Sequence, residues 1–149
     1  MSYSNNRRII VGLSVCLLAF LVLFNTLFFR LLINLPQIFG VYQPTTILVI
    51  FQNNHELRPT GGFMGSYATF SFDKFKIKDF RTYDIYDADG HISNYVTPPE
   101  AIQTAFQLGS WRLRDANWDP DFPKAAKTIL WFFEQAGVEQ PDILVAVNL

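Results

Sequence analysis

The stretch Gln52-Asn53-Asn54-His55-Glu56-Leu57-Arg58-Pro59-Thr60-Gly61-Gly62-Phe63-Met64-Gly65-Ser66-Tyr67 decides how the rest of the chain is read. Before it, residues 45–51 (TTILVIF) are a β-branched apolar run of the kind that makes a buried strand. After it, aromatic and small residues alternate over 63–72, so a second strand begins almost at once. The polar residues between them are therefore expected to be a connection at one end of a sheet. Gly61 and Gly62 reach backbone angles closed to other residues and let a partner come close to the main chain. Arg58 offers a planar fork of donors to a phosphate or a carboxylate. The structural alternative is that Arg58 pairs with Glu56 and the glycines only turn the chain.

Downstream, Asp73-Lys74 turns the chain into a third strand starting at Phe75, which predicts an antiparallel hairpin. Residues 83–86 extend that strand or add a short fourth. Asp84, Asp87 and Asp89 follow, ending in Gly90. The D-x-D-G pattern is similar to a calcium loop but lacks its later carboxylates and flanking helices, so an aspartate-rich turn is the simpler reading. Thr97-Pro98-Pro99-Glu100 predicts a capping box that opens a helix reaching about Gln107. Residues 109–123 then crowd Trp111, Trp118, two arginines and three aspartates into one segment, which either binds something or locks itself. Asp121 is placed to cap a helix over 123–136, ended by Gly137, with Ala126, Ile129, Leu130 and Phe133 on one face. A last apolar strand covers 142–148 (DILVAVN), and a buried strand as the final element is the mark of an incomplete sequence. The alternation predicts an α/β (mixed α+β) domain with a mixed sheet flanked by helices. The strands at 45 and 142 are expected to be central, with Ile50, Phe70, Ile129 and Val145 in one core.

Upstream, residues 9–29 are apolar except for Ser14, Asn25 and Thr26. About 20 residues in a helix cross a hydrocarbon core of about 30 Å. A soluble helix is rarely apolar on every face for that length. The exit Leu27-Phe28-Phe29-Arg30-Leu31-Leu32 is bulky and offers no small-residue cleavage site, so an uncleaved anchor is predicted. Arg7 and Arg8 precede it and Arg30 alone follows it, which puts the N-terminus inside. The predicted organisation is a cytoplasmic tail (1–8) disordered over its first six residues, an anchor (9–30), a membrane-proximal tether ended as a helix by Pro36 (31–43) and an extracytoplasmic domain (44–149).

Beyond the anchor lie nine of the twelve basic residues and all thirteen acidic ones, a net charge of −4. Such a domain has no basic stripe with which to bind nucleic acid. The only cysteine, Cys16, falls in the anchor, so the outer domain has no disulfide, cysteine zinc site or cysteine nucleophile. His55 and His91 are too far apart in sequence to suggest a histidine metal cluster.

Two blocks carry a resemblance. Leu48 through Tyr67, with its LRPTGGFMGSY core, and Arg114-Asp115-Ala116-Asn117-Trp118-Asp119-Pro120-Asp121-Phe122-Pro123 followed by a helix and DILVAV, resemble a bacterial domain-of-unknown-function family, the one numbered four thousand and twelve. The resemblance implies an extracytoplasmic domain behind a membrane anchor, and a longer C-terminal part than this chain has. The order of elements is also remotely similar to the LytR–CpsA–Psr phosphotransferases, which move a glycopolymer from a polyprenyl-pyrophosphate carrier onto peptidoglycan. That likeness implies Arg58 and Arg114 on the pyrophosphate and Asp84, Asp87 or Asp115 on magnesium. It makes Arg58, Arg114 and Asp115 catalytic candidates, and Glu56, Gly61, Gly62, Asn117 and Trp118 candidate ligand contacts. Asp84 and Asp87 become candidate metal ligands. The competing expectation is a non-enzymatic envelope domain in which Trp111 and Trp118 stack on sugar or pack on a partner.

Overall fold

The computed structural model describes residues 2–107 and 109–149, with side chains described from Gly12 onward. A long helix, α1 (Ser2–Ile38), opens the chain. It takes in residues 2–6 of the expected disordered tail, while Met1 and the side chains of Arg7 and Arg8 lie outside the described residues. From Gly12 to Ile38, 27 residues, the helix is long and apolar enough for a membrane span or a signal sequence. Its large apolar side chains are exposed from Leu13 to Ile33, Phe20 at 63% and Leu27 at 59% among them. Polar side chains fold back onto the helix: Asn25 donates to the Leu21 carbonyl at 2.8 Å and Asn34 to the Arg30 carbonyl at 2.7 Å. Those bonds partner amide donors that apolar surroundings could not. Pro36 sits inside the last turn instead of stopping the helix there. So close to the end it forfeits little of the ladder, and the chain leaves the helix at Gly40, whose φ is +66°.

Three strands follow in antiparallel succession: β1 (Thr45–Arg58), β2 (Gly61–Asp73) and β3 (Lys76–Asp84). Residues 52–62, expected as a connection, are mostly ladder. Bulges between Phe51 and Gln52 and between Asn53 and Leu57 let the pairing continue to Arg58 opposite Gly61, so only Pro59 and Thr60 turn. A bulge absorbs residues whose pattern breaks strict alternation, and polarity alone does not unpair a backbone. The second turn is Lys74-Phe75, one residue later than expected, with both residues at positive φ.

The chain then crosses over through α2 (Ile85–Gly90), α3 (Glu100–Phe106), a 3-10 helix (Leu113–Trp118) and α4 (Phe122–Gln135). It returns as β4 (Ile143–Asn148), parallel to β1, giving the sheet order β3-β2-β1-β4. The mixed sheet with flanking helices is thus present, with two changes in detail. β1 is central, but β4 is an edge of the described sheet. Helix starts also differ: Thr97 makes no capping box, since Pro99 occupies the cap position of α3, and Asp121 caps α4 by position without a side-chain bond.

One face of the sheet presents Leu48, Ile50, Met64 and Tyr67 to Ile129, Phe132 and Phe133 of α4, with Ile85, Ile92 and Leu113 completing a single buried cluster. Burying each large side chain there contributes roughly 1.5–3 kcal/mol. The expected core is therefore half right. Ile50 and Ile129 belong to it, whereas Phe70 pairs across from Ile47 on the opposite face and Val145 is 37% exposed. On α4 the fully buried stripe is Ala125, Ile129, Phe132 and Phe133, rotated slightly from the expected one.

Candidate functional site

The polar end of the β1–β2 hairpin folds over the 3-10 helix. Gln52 continues the inward alternation of Leu48 and Ile50; it is fully buried and donates through Nε2 to Thr60 Oγ1 at 3.0 Å. Thr60 donates to the Asn117 carbonyl at 3.2 Å, and Asn117 Nδ2 donates to the Gly62 carbonyl at 2.8 Å. A side chain at Gly61, where φ is +145°, would meet Gln52 Oε1 and Asn148; one at Gly62 would meet the Asn53 backbone. The two glycines do allow close approach, and in this structure the approaching atoms are the chain's own.

Beside this relay lies a cluster of opposite charges. Arg58 Nη2 is 3.0 Å from Glu56 and 3.3 Å from Asp115, and its side chain is only 7% exposed. The guanidinium also stands 5.3 Å from the Phe63 ring centre and 4.8 Å from that of Phe106. Arg114 bonds Asp89 at 2.6 Å and reaches Asp115 at 3.7 Å. Asp89 also accepts from the Leu113 backbone at 2.7 Å. Burial pushes the Asp115 carboxyl above its ordinary value, although Arg58 and Arg114 pull the other way. Among the described residues, the buried side-chain atoms lacking a hydrogen-bond partner are Gln52 Oε1, Arg58 Nε and Asn117 Oδ1, all in this one region. Unmet polar atoms are costly, so their concentration marks the region as a candidate site.

The structure therefore brings Arg58, Arg114, Asp115, Glu56, Gly61, Gly62 and Asn117 together. Trp118 is half-buried at its edge, its ring 5.5 Å from that of Phe106. Trp111 packs on Phe132 and donates to the Asp115 carbonyl at 3.1 Å, which spends its ring on the core. Asp84 and Asp87 lie apart from this cluster of contacts: Asp84 caps α2 by accepting from the Tyr86 backbone, and Asp87 is exposed on the first turn of α2. The aspartate that joins the cluster is Asp89, buried at 4% exposure. Its signal in the sequence is the helical spacing of Ile85, Ala88, Asp89 and Ile92, which faces one side and which the D-x-D-G turn pattern overlies. Among the described residues no group of three carboxylates, histidines or cysteines is arranged to hold a metal ion, and Asp89 and Asp115 already meet guanidinium groups.

A helix fit for a membrane, followed by a mixed four-stranded α/β domain with a closed arginine–carboxylate cluster, defines the class of protein. Residues 42–149 match the family described as protein of unknown function DUF4012, and the chain belongs to that family. No curated protein and no solved structure matches it.

Proposed function

We propose that this is a non-enzymatic binding or scaffold domain of the cell envelope, held on the outer side of the membrane by α1. The observation that supports this reading is the state of Arg58. Its guanidinium is buried, paired with Glu56 and Asp115 and flanked by Phe63 and Phe106. An arginine that receives a pyrophosphate needs donors within reach of solvent, whereas this side chain is buried and ties the β1–β2 hairpin to the 3-10 helix. Three carboxylates against two guanidiniums also leave the cluster without the positive balance that an anionic substrate requires.

The second reading is phosphotransfer from a polyprenyl-phosphate-linked glycopolymer to peptidoglycan. One observation favours it: Arg58 meets Asp115 from 57 positions away, and Arg114, next to Asp115 in the chain, reaches the same carboxylate. The two readings separate when full-length wild type, Arg58→Ala and Arg114→Ala are purified from membranes and assayed for bound polyprenyl phosphate and for melting temperature. The scaffold reading expects no arginine-dependent lipid, and a lower melting temperature for Arg58→Ala, because breaking a buried pair costs about 3–5 kcal/mol. Lipid retained by the wild type and reduced tenfold or more in Arg114→Ala would overturn it, since a charge-assisted phosphate contact is worth roughly 1.5–3 kcal/mol.

A further inference from the structure

The turn that joins β2 to β3 is docked on the end of α1. The Lys74 amide donates to the Gly40 carbonyl and the Phe75 amide to the Phe39 carbonyl, both at 2.9 Å. The Phe39 ring lies 5.6 Å from that of Phe75 and 5.5 Å from that of Phe72. Hairpin and helix end are thus one joined unit. At its tip, Lys74 and Phe75 both hold positive φ, 50° and 63°, in a turn that glycine or asparagine would fill without strain. An aromatic residue nonetheless stands at the apex, and Phe75 is 64% exposed. Ile77 and Phe80 follow at 59% and 55% exposure, and Tyr42, just past the helix, is at 77%.

Charge separates this tip from the rest of the domain. Lys74, Lys76, Lys78 and Arg81 stand against Asp73 and Asp79, a net charge of +2, on a domain that carries −4 overall. Lys78 and Arg81 have carboxylate partners; Lys74 and Lys76 have none among the described residues. Length puts the tip at the right height. From Ile9 to Ile38 the rise of α1 covers roughly 45 Å, against about 40–45 Å for a bilayer with its headgroups.

We propose that the β2–β3 tip is a lipid-contact element. Phe75, Ile77 and Phe80 seat in the outer headgroup boundary of the membrane that α1 crosses, and Lys74 and Lys76 meet the phosphates of anionic lipids. This rests on the reading of α1 as an anchor. Its consequence is that the domain is held in one orientation against the bilayer instead of swinging on a tether.

The test uses the full-length protein in vesicles of phosphatidylcholine alone and with phosphatidylglycerol. Single spin labels are placed, in a Cys16→Ser background, through Phe20→Cys, Phe75→Cys, Ile77→Cys or Tyr95→Cys. Depth is read from the relative accessibility to oxygen and to a water-soluble nickel chelate. Labels at 75 and 77 are expected at headgroup depth, between the lipid-buried label at 20 and the water-facing label at 95. Lys74→Gln with Lys76→Gln is expected to shift both labels toward water in the anionic vesicles and leave them unchanged in the neutral ones. Labels at 75 and 77 that match 95 while 20 stays in lipid overturn the tip contact and leave the anchor standing. A label at 20 that matches 95 overturns the anchor and the tip contact together. No response to the lysine changes in anionic vesicles overturns the phosphate contact.

Discussion

The two faces of one sheet follow the same alternation and meet different fates. On one, Leu48, Ile50, Met64 and Tyr67 vanish under α4 and the crossover segment. On the other, Ile47, Val49, Phe51, Phe70 and Phe72 are only half-buried, Phe80 is open, and Phe39 at the end of α1 touches one corner. Apolar strand residues on both faces are the mark of a sheet built to be covered twice. The difference teaches that hydrophobicity in the sequence reports a capacity for burial; the crossover decides which face uses it.

The largest effect should come from a charge on each face. Ile50→Asp is expected to prevent folding, because an unpaired carboxylate in the covered core exceeds the few kcal/mol that hold a domain together. Val49→Asp, one residue along on the half-open face, should leave a folded protein with a lower denaturation midpoint. Equal loss in both, measured by denaturant unfolding, would break the distinction between the faces.

A smaller effect is expected at the hairpin end. Gly61→Ala puts a methyl group against Gln52 and Asn148 at a backbone angle that alanine resists, and should cost about 1–3 kcal/mol. Gly65, where an added side chain meets nothing, is the matched control. An unchanged midpoint for Gly61→Ala would mean that this end is looser than its contacts indicate.

The smallest effect is in pH. The Asp115 carboxyl is raised above its ordinary 3.8, chiefly by burial. Between the two values the folded chain holds more protons than the unfolded one. The contribution of Asp115 to stability therefore grows as pH falls through the raised value and is complete below 3.8. Subtracting the unfolding free energy of Asp115→Asn from that of the wild type, across acidic pH, isolates it. A flat difference would show that the guanidinium groups cancel the effect of burial, and one that shrinks toward acid that they outweigh it.

The sequence by itself determined whatever repeats locally. The unbroken apolar run became α1, the TTILVIF run became the centre of the sheet, and Pro123 and Gly137 bracket a helix close to where they predict one. Two ordered sequence blocks were enough to indicate the family that residues 42–149 match. Only the tertiary structure decided which charges meet. Arg58 finds Asp115 across 57 positions and Arg114 finds Asp89 across 25, so nothing in the local pattern marks either pair. It likewise decided that Asp89 faces inward while Asp87 does not, that β4 is an edge, and that the polar residues after Phe51 remain in the ladder. Periodicity is set by backbone geometry within a few residues and is written in the chain. Partners across a sheet or a crossover are set by how whole elements pack, which no short stretch of sequence contains.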